Sequence, residues 1–82
     1  MQDWLEFVVT GLVDHPGDVV VSQVEQGDTV VYELRLHPDD VGKIIGRRGA
    51  TINALRALVQ VGGNRRGERA TVDVVEDDVD QD

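Results

Sequence analysis

The sequence predicts an α+β domain with elements in the order helix, strand, strand, helix, helix, strand, and three observations predict it. Apolar residues recur at helical spacing in "DWLEFVVTGLVD" and again in "ATINALRALVQV". β-branched residues alternate on both sides of an "EQGD" turn, and "RATVDVVE" supplies a third alternating run. At 82 residues the chain has room for one small core and no second domain.

The first helix is expected from Asp3 to about Asp14. At 100° per residue Trp4, Leu5, Val8, Val9 and Leu12 fall within an arc of about 140°, and Phe7 lies outside it. "HPG", His15 to Gly17, ends that helix. In the hairpin that follows, Val19, Val21 and Gln23 alternate with Val20, Ser22 and Val24, and Gly27 is free to turn with positive φ. On the return strand Val30, Tyr32, Leu34 and Leu36 share the face expected to be core. Val31, Glu33, Arg35 and His37 share the face expected to meet solvent. Pro38 suits a first helical position, and Asp39 and Asp40 sit at the positive end of the helix dipole, where carboxylates usually cap. A second long helix is expected from about Ala50 to Val61, packed through Ile52, Leu55 and Val59, with "GGNRRGE" breaking it. In the last strand Ala70, Val72 and Val74 alternate with Thr71, Asp73 and Val75. The domain is expected to span 1–76, and 77–82 to form an acidic, disordered tail.

Composition narrows the function. Without cysteine there is neither disulfide nor thiolate chemistry, and no apolar run reaches the 18 residues of a membrane span. With no basic leader either, a cytoplasmic location is expected. The net charge of −8 argues against a polyanionic partner until its distribution is read. From Val41 to Gly67 there is no acid, while Lys43, Arg47, Arg48, Arg56, Arg65 and Arg66 all fall there. It is the local field that decides what docks.

That basic segment holds "VGKIIGRRGATI". Gly-x-x-Gly alone is weak, since nine glycines supply about one such spacing by chance. Flanked by Ile44, Ile45 and Ile52, and set between two helices after a hairpin, the loop Gly46-Arg47-Arg48-Gly49 resembles the signature of the K-homology (KH) RNA-binding domain. The element order is similar to the type II KH topology, and the length to small stand-alone bacterial KH proteins of the KhpA type. The resemblance implies a three-stranded mixed sheet packed on helices and a single-stranded RNA ligand of about four nucleotides clamped at the loop. It implies an RNA-binding set of Lys43, Ile44, Ile45, Gly46, Arg47, Arg48, Gly49, Ala50 and Arg56, and a groove floor of Val41, Ile44, Ile45, Leu34 and Leu36. RNA chaperoning or post-transcriptional control, and pairing with a larger KhpB-type protein, are further implications. Physically, the glycines let a phosphate backbone approach, free amides near Gly49 and Ala50 face it, and the arginines add bidentate donors.

Alternatives stay open at this point. Arg56 either reaches sugar or phosphate or is a solvated helix residue. Arg65 and Arg66, expected in the loop before the last strand, either attract RNA or keep that loop soluble. No catalytic constellation is visible and no cofactor is expected. His15 and His37 each precede a proline and have no ligand spacing, so no metal site is expected. A helix-turn-helix DNA-binding protein and a KH-scaffold interaction module are the rival readings. Phe7, Leu58 and Val61, left over from the core, favour a homodimer or a heterodimer with another KH protein.

Overall fold

A computed structural model describes residues 1–75; the expected acidic tail, 77–82, lies outside the described residues. Helix α1 (Gln2–Leu12) leads through a 3₁₀ turn (Pro16–Asp18) into β1 (Val20–Gln26) and β2 (Thr29–Arg35). A second 3₁₀ turn (Pro38–Asp40) opens α2 (Val41–Ile45), a third (Arg47–Gly49) joins it to α3 (Ala50–Arg65), and β3 (Arg69–Val75) closes the domain. The fold is α+β in the order α-β-β-α-α-β, consistent with a type II KH-like domain.

The sheet is ordered β1-β2-β3, with β1 antiparallel and β3 parallel to β2. The hairpin turn is Gly27-Asp28, between the paired Gln26 and Thr29, with positive φ at Gly27 alone, as a type II′ turn has it. The parallel pair demands a crossover, and α2 and α3 supply it. The core joins Leu5 and Val9 of α1, Val21 of β1, Tyr32 and Leu34 of β2, Ile44 of α2, Ile52, Leu55 and Val59 of α3, and Ala70 and Val72 of β3.

Three expectations change. The face of β2 expected to meet solvent is not wholly exposed: Val31 is buried because β2 is the central strand, with Val24 directly opposite on one side and Thr71 on the other. Helix α1 stops at Leu12, and two members of its apolar arc, Trp4 and Leu12, stay exposed along with Phe7. Helix α3 runs four residues past Val61, straight through Gly62 and Gly63. Those glycines are packing positions: a Cβ on Gly62 would strike the Met1 side chain, and one on Gly63 would lie 3.0 Å from the Glu68 carbonyl and 3.1 Å from the Ala70 Cβ. The real stop is Gly67, with φ +75°. The Gly67 N–H donates to the Asn64 carbonyl and the Glu68 N–H to the Gly63 carbonyl, the paired bonds of a Schellman motif. Arg65 therefore ends the helix and Arg66 caps it, both exposed.

Asp40 also departs from its expected role. Its side chain caps nothing in its own helix and is fully buried, accepting the Asp14 N–H at 3.1 Å and the His15 N–H at 2.9 Å. Lys43 Nζ stands 3.8 Å from the same carboxylate and 3.1 Å from Asp14. Burial pushes the Asp40 pKa up, but the two backbone donors, with the charges of His15 and Lys43 behind them, outweigh it and hold the carboxyl below its ordinary value. The cap of the second turn is His37, whose Nδ1 accepts the Asp39 N–H at 3.0 Å.

A carboxyl depressed in the folded state contributes stability that is fully present above its unfolded pKa, about 3.9. That contribution is lost as pH falls through the lower folded value. Asp40→Asn sets an NH₂ group against one of two backbone donors, so its melting temperature should be lower at neutral pH and the gap should narrow in acid. Thermal denaturation followed from pH 7 down through the carboxylate range checks this, and parallel profiles for parent and variant would contradict it.

Candidate nucleic-acid interface

Helix α2 ends because Gly46 adopts φ 76°, ψ 176°, a conformation essentially reserved for glycine. Its N–H donates to the Gly42 carbonyl at 2.8 Å. The chain then turns so tightly that a Cβ on Gly46 would lie 2.8 Å from both the backbone N and the Cβ of Thr51. Gly49 is left-handed at φ 78°, ψ 13°, and Arg48 joins it at φ 57°, ψ 27°. Sequence reasoning gave that freedom to the glycines alone; an arginine in the left-handed region carries no signal in composition. The strain of a non-glycine residue there is about 1–2 kcal/mol.

The geometry reassigns the free donors. The Gly49 N–H is used by the Gly46 carbonyl at 3.2 Å, and the Ala50 N–H by the Arg47 carbonyl. The N–H groups of Arg47 and Arg48 have no backbone acceptor among the described residues. Both arginine side chains are exposed, and neither meets a carboxylate among the described residues. The loop thus offers two guanidinium groups and two amides from adjacent residues, an arrangement suited to a phosphate backbone.

The other expected site residues divide. Ile44 has no exposed surface, and neither has Leu34 of the expected groove floor; both belong to the core and lie beneath the surface a base would touch. Ile45, Val41 and Leu36 are half-buried and keep accessible area. Lys43 points its ammonium at Asp14, whose hydrogen bond and charge raise its pKa, so its charge is largely answered within the domain. Arg56 donates from Nε to the Val72 carbonyl at 2.8 Å and from its other nitrogens to Asn53 at 3.3 Å and Asp73 at 3.4 Å. It ties α3 to β3 and leaves little of its fork for a ligand. Arg65 and Arg66 sit at the opposite end of α3, about 22 Å from the loop at 1.5 Å per residue.

Two residues outside the expected set come together. The imidazoles of His15 and His37 stack with centroids 3.8 Å apart and planes at 16°, and Asp39 lies beside them. The sequence did hold a signal: "HPGD" and "HPDD" begin two similar 3₁₀ turns.

Comparison with known proteins agrees with this architecture. A family model described as KhpA/KhpB, KH domain, matches residues 2–74. A Streptomyces coelicolor protein named RNA-binding protein KhpA is 47% identical over 74 residues, covering 90% of this chain and 94% of its own. Proteins of the same name from Halalkalibacterium halodurans and Chlamydia caviae are 40% and 36% identical over 93% and 94% of this chain, and 100% and 99% of their own. No solved structure matches the chain significantly.

The two loop glycines should not be equivalent. Gly46→Ala meets both a forbidden conformation and Thr51, whereas a Cβ on Gly49 finds ordinary contact, 3.5 Å from Asn53 Nδ2, and only the left-handed φ to oppose it. Urea denaturation should show Gly46→Ala losing more than the about 1–3 kcal/mol of conformational strain, and Gly49→Ala losing less than Gly46→Ala. Equal losses would mean that the approach to Thr51 is not tight.

Proposed function

The chain belongs to the KhpA/KhpB family of KH domains, and from that premise we propose that it is a non-catalytic, cytoplasmic protein that binds single-stranded RNA at Gly46–Gly49. The observation that carries the proposal is the pair Arg47 and Arg48, exposed, with amides that meet no backbone acceptor among the described residues, in a segment without acids. Two or more phosphates pass along this loop, held by the guanidinium groups and the amides. Val41, Ile45 and Leu36 give the bases an apolar surface, with Ile44 and Leu34 as the packed support below. Because none of these is aromatic, stacking contributes little and base selectivity is low. Lys43, Ala50 and Arg56 act mainly by positioning: Lys43 braces the start of α2, the Ala50 amide closes the loop, and Arg56 holds α3 on β3. Low selectivity with modest affinity suits RNA chaperoning or post-transcriptional control.

Arg47→Asp combined with Arg48→Asp places two carboxylates where phosphate should lie. Both sites are exposed, so stability should move by under about 0.5 kcal/mol. Aspartate also tolerates the left-handed conformation at position 48. Fluorescence anisotropy with a labelled single-stranded RNA should show at least a tenfold loss, about 1.4 kcal/mol or more. A folded double variant that binds like the parent would remove the loop as the site. For the parent, three to four neutralised phosphates give a slope of log affinity against log salt near about −2 to −3. A slope near zero would show that the backbone is not what is held.

A specific observation favours association as well. Phe7 is 77%, Leu58 54% and Val61 58% exposed, and Trp4 lies on the same helix as Phe7. We read these exposed apolar residues as the seat of a second KH chain, either another copy or a larger KhpB-type partner, which would raise RNA affinity through avidity. Light scattering should find dimers of the parent at micromolar concentration and monomers of Leu58→Asp. Monomers in both would exclude the homodimer.

A further inference from the structure

We propose that His15, His37 and Asp39 form a binding site for a divalent transition-metal ion, with zinc the ion best suited to two imidazole nitrogens and one carboxylate oxygen. The candidate ligand atoms all lie within 4.8 Å of one another. Asp39 Oδ2 is 3.7 Å from His37 Nδ1 and 4.0 Å from His15 Nε2. Tetrahedral zinc with arms of about 2.0–2.1 Å sets its ligands about 3.3 Å apart, so closure asks each atom to move by little more than about 1 Å. The side chains are free to do so, His15 being 41%, His37 32% and Asp39 75% exposed. The backbone beneath them is not. The buried carboxylate of Asp40 accepts the His15 N–H, and it directly follows Asp39, so both turns are fixed to each other before any ion arrives.

The surroundings are compatible. Lys43, whose charge acts on Asp39, is already held by Asp14 at 3.1 Å. Asp40 has both oxygens committed to backbone donors, which leaves Asp39 as the available carboxylate. Binding costs the stack its parallel geometry and the Asp39 N–H its bond to His37 Nδ1. Three protein ligands leave a coordination position for water. The ion would bridge the α1–β1 connection and the turn that opens α2, and so stabilise the folded chain.

Titration of the full protein with zinc chloride, followed by calorimetry and by the imidazole NMR signals, tests this. One ion per chain should bind, both histidine rings should shift, and the melting temperature should rise with zinc. His15→Ala and His37→Asn, the latter keeping a side-chain acceptor for the Asp39 N–H, should each weaken binding by at least about tenfold. Calcium, which prefers oxygen ligands, should not compete. Absence of zinc binding, equal competition by calcium, or unaltered binding in both folded histidine variants would each overturn the proposal.

Discussion

Helix α2 is five residues long, far too short to hold itself, and the placement of the loop depends on what fixes its two ends. At its C-terminal end the constraint is Gly46, whose backbone lies so close to Thr51 that no side chain fits between them. That approach sets the angle at which α3 departs. It also leaves Arg47 and Arg48 on the outside of the turn, their amides without a backbone acceptor among the described residues. Any residue larger than glycine would have to open the turn, and the two arginines would move with it.

At the other end the constraint is electrostatic. Asp40 is buried, and it draws two backbone N–H groups from the α1–β1 connection onto the start of α2. Lys43, one turn on, answers that charge and the charge of Asp14. The acids of this connection therefore neutralise the one lysine of α2 and leave the arginines of the loop alone. A protein with twice as many acids as bases keeps a positive loop because no acid falls between Val41 and Gly67 and the acids nearest α2, Asp14 and Asp40, are engaged with Lys43 and with backbone donors.

Much of this was legible in sequence. The alternating valines of the strands, the helical spacing of Ile52, Leu55 and Val59, and the Gly-x-x-Gly flanked by isoleucines gave the element order and the candidate loop, since each signal is local and periodic. What was misread depends on partners far along the chain. Gly62 and Gly63 look like a helix stop, yet they are small because Met1, Glu68 and Ala70 press against them. Asp40 looks like a cap, yet its donors lie 25 and 26 residues upstream. Arg56 reads equally as a ligand residue or a solvated one, while its hydrogen bonds run to Val72 and Asp73 on β3 and to Asn53 on its own helix. The two histidines, 22 positions apart in the sequence, meet only because the two turns that follow them are joined.

The central claim is that RNA is held by the backbone and side chains of the loop. It is tested most directly by following the amide signals of an isotopically labelled chain as a short single-stranded RNA is added. The account predicts that the amides of Arg47 and Arg48 shift first and furthest, that those of Gly46, Gly49 and Thr51 follow, and that the hairpin turn at Gly27 stays still. Saturation with RNA while the Arg47 and Arg48 amides remain unmoved would contradict it.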